Sequence, residues 1–95
     1  MTNLLTYHST LDQPDKKKLE KDYYTWLRDT WHFLPAPHHI LTNTNHGMGI
    51  KPHNLWCIPI TYDLHDQIHK GKIGLEWQID KLREVHEGYC QERGI

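Results

Sequence analysis

Residues 38–71 read HHILTNTNHGMGIKPHNLWCIPITYDLHDQIHKG, and this stretch decides the fold. Pro35 and Pro37 stand just ahead of it and favour extended backbone, so His38-His39-Ile40-Leu41 is expected as a short strand. Residues 42–53 carry dense loop chemistry, with Gly47 and Gly49 free to take positive φ. Asn54 to Ile60 is a second short apolar run, read as a strand whose Pro59 suits an edge or a strand end. Asp63 can cap a short helix over Leu64 to His69, and Gly71 can terminate it.

The chain has nine histidines, and His38, His39, His46, His53, His65 and His69 all fall in this stretch. Imidazole is the commonest metal ligand and titrates near neutral pH. His65 and His69 are spaced i, i+4, so on a helix both rings leave one face and can grip one ion. Alone, such a pair says little, because a chain this rich in histidine produces one by chance. Its neighbours give it weight. Adjacent strand residues point to opposite faces, so His38 and His39 should diverge. That suits one ligand and one base better than two ligands on one ion. Neutral imidazole ligands leave an ion its full positive charge for a phosphate oxygen, and a neutral imidazole is a competent general base.

Outward from the stretch, the pattern turns helical on both sides. Pro14 and Asp15 open a run to about Trp31, with Leu19, Tyr23, Trp26 and Leu27 on one stripe and Lys16, Lys17, Lys18 and Lys21 largely off it. Residues 1–12 show no periodicity and are expected as a loosely held arm. A last helix is expected over 74–92, with Leu75, Ile79, Leu82, His86 and Tyr89 along one face. His8, His32 and His86 read as surface or core-edge residues, and Trp56 and Trp77 as core. Cys57 and Cys90, in no CxxC arrangement, read as buried reduced thiols.

With 95 residues and a mean hydropathy of -0.79, the chain suits one small domain and is too short for two. No apolar run approaches a membrane span, and the first residues lack the marks of a signal peptide, so a cytoplasmic protein with no membrane partner is expected. A formal net charge of -1 argues against a general nucleic-acid coat protein, where basic excess supplies the affinity.

Taken together, residues 38–71 resemble the HNH (His-Me finger, ββα-metal) nuclease superfamily, whose core is two short strands and a helix clamping one metal. The His-His pair, Gly-Met-Gly-x-Lys loop, Ile-Pro-Ile run and His-x-x-x-His helix resemble phage recombination-enhancement nucleases. The segment LHDQIHKGK also resembles the end of the colicin-type DNase motif. The resemblance implies an α+β single domain, with a ββα-metal core over 36–70 flanked by an N-terminal and a C-terminal helix. It also implies a metal-dependent DNA endonuclease of a phage, used in recombination or processing.

Carried over by position, the resemblance makes His38, His65 and His69 the metal ligands. His39 becomes the general base, and Asn54 the residue that orients it, with His53 as fallback. One divalent ion is implied, Mg²⁺ or Mn²⁺ in function, with Zn²⁺ or Ni²⁺ also suited to three imidazoles. Two departures stand out. Thr61 and Leu64 occupy positions where recombination-branch relatives carry cysteines for a structural zinc, so that zinc is not expected. Asn54 also lies eleven residues before His65, wider than the usual family spacing. DNA affinity would fall to a local patch of Lys51, Lys70 and Lys72, and a homodimer would suit double-strand cutting. The alternative is a non-catalytic module of the same fold that binds DNA or a protein.

Overall fold

The computed structural model describes residues 3–42 and 52–95. Helix α1 (Leu4–Ser9) starts where the Asn3 side chain accepts from the amides of Leu5 and Thr6, at 3.0 and 3.2 Å. A loose arm is therefore not what this segment forms. Leu4 is 1% exposed, and burying it offsets the cost of ordering a helix too short to persist alone. Helix α2 (Gln13–Thr30) is capped by Asp12, which accepts from Asp15 N–H, and carries Pro14 in its first turn. Its buried stripe is Leu19, Tyr23, Trp26 and Leu27, at the spacing the sequence predicts.

Strand β1 is His38–His39 and strand β2 is Cys57–Ile58, paired antiparallel with His38 opposite Ile58 and His39 opposite Cys57. The expected second strand is thus mostly something else. Asn54–Trp56 form a 3-10 turn capped by His53, whose ring accepts from Leu55 N–H at 3.3 Å. A short polar cap outcompetes extended backbone there, and only the last apolar residues reach the ladder. Helix α3 (Tyr62–His69) begins two residues earlier than expected, because Thr61 rather than Asp63 is its cap, accepting from Leu64 N–H at 3.2 Å. Gly71, at φ 74°, turns the chain after it. Helix α4 (Leu75–Arg93) ends at Gly94 in the left-handed conformation.

Among the described residues the result is a small, mostly helical domain with one two-stranded antiparallel sheet, an α+β arrangement. Its larger core gathers Leu4, Leu19, Tyr23, Trp26, Leu27, Leu55, Val85 and Tyr89 between α1, α2 and α4. A smaller one, Ile40, Ile58, Ile60 and Leu82, lies under the sheet, with Leu64 and Ile68 of α3 packed against it. Helix α4 presents Gln78, Leu82, Val85, His86, Tyr89 and Cys90 inward; Leu75 and Trp77, expected inside, are 43% and 39% exposed. Cys57 and Cys90 are buried free thiols. Tyr89 and Arg93 of α4 both donate to Asp22 of α2, and these bonds, the tyrosine's foremost, hold that carboxyl below its usual range. Among the described residues, no helix is long and apolar enough to cross a membrane.

His86, expected at the surface or core edge, is 7% exposed and donates Nε2–H to the Leu55 carbonyl at 2.6 Å. Burial lowers its pKa to about 4. The unfolded chain, at an ordinary 6.5, therefore takes up this proton first. The contribution is complete above pH 6.5 and is lost as pH falls towards about 4, amounting to about 3 kcal/mol. Urea unfolding from about pH 7 to about pH 4.5 should show stability falling steadily. His86→Gln should be less stable at neutral pH but should show a flatter dependence over that window; an unchanged slope would refute the assignment.

Candidate functional site

Three elements bring the predicted histidines together. The β1–β2 pairing fixes the alternation of β1, so His38 turns the same way as Ile40, towards α3 and α4, and His39 turns the other way. The His38 ring lies 5.1 Å from the His65 ring and 6.2 Å from the His69 ring, centroid to centroid. His65 and His69, one turn apart on α3, lie 4.3 Å apart with their Nε2 atoms at 3.1 Å. Two imidazole nitrogens sharing a tetrahedral ion sit about 3.4 Å apart, with ring centroids about 5 Å apart. The α3 pair is therefore already close to the separation an ion would impose.

His38 is not yet as close. Among the described residues, the group whose three donor atoms all lie within 4.8 Å of one another is His8, Glu20 and His53. The His38 ring is engaged elsewhere. Its Nε2 lies 3.2 Å from Oε1 of Gln78, whose amide nitrogen reaches the Gly74 carbonyl at 3.5 Å. That second contact orients the amide oxygen towards His38, so Nε2 carries the proton and Nδ1 keeps the lone pair. Metal-binding histidines are held in this way, one ring nitrogen bonded to a carbonyl oxygen and the other left for the ion. Completing the set takes a side-chain adjustment at His38. Burial, with the neighbouring imidazoles adding to it, lowers the His38 pKa and favours the neutral form a ligand needs.

The donor set fits a divalent ion: three imidazoles, two preset on one helix and the third braced by an amide. His8, Glu20 and His53 fit one less well. Their two imidazoles are stacked, 27° from parallel and 4.3 Å between centroids, so in-plane lone pairs run side by side rather than converging. His53 Nδ1 already accepts from Leu55 N–H, and His8 Nε2 is 2.8 Å from Glu20 Oε2.

On the other side of β1, His39 Nε2 lies 3.1 Å from Asn54 Oδ1. An amide oxygen can only accept, so Nε2 donates and Nδ1 is left as the basic nitrogen. His53, the fallback for this role, instead caps the turn that carries Asn54. Lys70 pairs with Asp66 at 2.8 Å on the exposed side of α3, and Lys72 is exposed beyond it. Lys51, like His46, Gly47 and Gly49, lies outside the described residues. A cavity of about 640 Å³ is walled by α2 and the Pro35–Pro37 segment and includes none of the clustered histidines. These sit instead on an open surface, with His69 exposed and His38 and His65 half-buried.

Sequence reasoning missed Gln78; the available signal was its position one turn before Leu82, which puts a polar residue on the inward stripe of α4. Comparison with known proteins adds little. No family model and no solved structure matches the chain. A curated relative, the uncharacterized protein YdfU of Escherichia coli (strain K12), is 28% identical over 74 residues, covering 72% of this chain and 21% of its own length. The chain thus spans about a fifth of that relative.

Zn²⁺ or Ni²⁺ titrated calorimetrically should bind at one site, and His65→Ala or His69→Ala should abolish it. Gln78→Leu, which removes only the brace, should weaken affinity about 10–100-fold. Unchanged affinity in Gln78→Leu would refute the brace, and unchanged affinity in His38→Ala would mean that His38 is not a ligand.

Proposed function

We propose that the chain is a metal-dependent endonuclease with an HNH-type ββα-metal site, hydrolysing phosphodiester bonds in DNA during phage recombination or processing. The supporting observation is the split at β1: His38 joins His65 and His69, while its neighbour His39 turns to Asn54. One face thus gathers ligands and the other holds a base.

A divalent ion held by His38, His65 and His69 would neutralise a phosphate oxygen and stabilise charge on the leaving 3′ oxygen. His39 Nδ1 accepts a proton from the attacking water, and Asn54 Oδ1 keeps the Nε2 proton in place and stabilises the imidazolium that forms. Without that acceptor the ring could turn or switch tautomer, and the lone pair would no longer face the water. The open surface suits a polymer, which must lie across a site rather than enter a closed pocket. Lys70 and Lys72 would meet its phosphates, Lys70 by exchanging Asp66 for a phosphate oxygen.

A binding module of the same fold is favoured by one observation, the engagement of Lys70 by Asp66 in a chain of net charge -1. Incubating supercoiled plasmid and single-stranded DNA with Mg²⁺, Mn²⁺, Ni²⁺ or EDTA separates the two. Cleavage should need metal, leave 5′-phosphate and 3′-hydroxyl ends, and disappear in His39→Ala while metal affinity persists. A protein that binds metal but cuts no substrate under any ion would be the binding module.

A further inference from the structure

Asn54 can hold His39 only while the three-residue turn beneath it stays fixed. Such a turn has no stability of its own. Its far side is anchored by two buried hydrogen bonds, from His86 to the Leu55 carbonyl at 2.6 Å and from Tyr23 to the Cys57 carbonyl at 2.8 Å. Its near side rests on His53, which caps Leu55 N–H through Nδ1. Asparagine or serine would cap as well or better. An imidazole adds a flat face, and that face lies on the ring of His8, 4.3 Å between centroids. His8 is 8% exposed and is itself gripped by Glu20 of α2 at 2.8 Å. The chain Glu20, His8, His53, Asn54, His39 thus crosses from α2 through α1 to β1 in unbroken contact.

We propose that His53 is a positioning residue for His39, latched by the stacked His8 and its Glu20 partner so that the turn holds Asn54 against the base. The role in turnover rests on the nuclease reading above; the geometric role does not. It gives His8, Glu20 and His53 a function that needs no ion, in keeping with their near-parallel rings.

The test compares His53→Ala, which removes cap and stack, with His53→Asn and His8→Ala, which each remove the stack and keep the cap. Metal-dependent plasmid cleavage should show kcat about 10–100-fold lower in His53→Ala, the size of loss usual when a supporting hydrogen-bond partner goes. KM for DNA and metal affinity should stay at wild-type values. His53→Asn and His8→Ala should match each other, between wild type and His53→Ala. Nitrogen chemical shifts of the His39 ring give a second readout without turnover. Wild type should be the single Nε2–H tautomer, and His53→Ala a mixture. Unchanged kcat and tautomer in a folded but less stable His53→Ala would make the cap merely structural and overturn the proposal. So would Zn²⁺ binding that survives in His65→Ala/His69→Ala and vanishes with His8→Ala, which would make the group an ion site. If wild type cuts nothing, the nuclease reading fails, and the tautomer comparison alone decides the latch. If His53→Ala does not fold, the same comparison is made between His53→Asn, His8→Ala and wild type, with identical tautomers counting against it.

Discussion

Two residue pairings, His38 with Ile58 and His39 with Cys57, are the constraint on which the rest depends. They set which histidine faces which way. A ladder this short cannot persist alone in water, so its geometry must be imposed from outside. Two buried side chains do this. Tyr23 of α2 donates to the Cys57 carbonyl and His86 of α4 donates to the Leu55 carbonyl, satisfying backbone acceptors just beside the pairing. Tyr23 is completely buried, and burial raises its hydroxyl pKa, so it remains a donor across the ordinary pH range. Helices far apart in sequence thus fix the direction of two adjacent side chains.

The two faces of β1 then meet different surroundings. His38 looks into a half-buried corner made by α3 and the start of α4, where burial and then the neighbouring imidazoles lower its pKa and favour its neutral form. His53, on the other side of the sheet, is likewise held below the ordinary histidine range, chiefly by burial and then by His8. A neutral His53 keeps the Nδ1 lone pair its cap requires. The domain therefore stabilises several neutral histidines by desolvation, and among the described residues the His8–Glu20 pair brings a carboxylate within contact of an imidazole.

Much of this was legible in the sequence where the signal is local. The i, i+4 spacing of His65 and His69, the alternation of His38 and His39, and the 3.6-residue stripes of α2 and α4 are short-range patterns that physics converts directly into geometry. Helix α1 was not legible, because six residues give no period to read and its stability comes from Leu4 reaching the distant core. Gln78 was hidden because its partner His38 is forty positions away. The 3-10 turn was hidden because Leu55-Trp56-Cys57-Ile58 has strand propensity, and a histidine is an unusual cap. Leu75 and Trp77 misled for a related reason. Their spacing fits the stripe, but the first turn of α4 projects past the end of the core.

The division of the core bears on how such a small domain can carry an exposed site. Most large buried side chains belong to the cluster between α1, α2 and α4, which includes the aromatic set Tyr23, Trp26 and Tyr89. Among the described residues the cluster under the sheet has four buried members, and α3 meets it through Leu64 and Ile68. Helix α3 buries no residue completely, so its anchorage is the weakest of the longer elements. His65 and His69 ride on that helix, facing a third imidazole that stands slightly too far away. A ligand bridging all three would tie α3 to β1 and add the connection that the apolar packing leaves thin. Binding and local order are then linked: whatever the histidines hold should stabilise α3 far more than it stabilises the aromatic core.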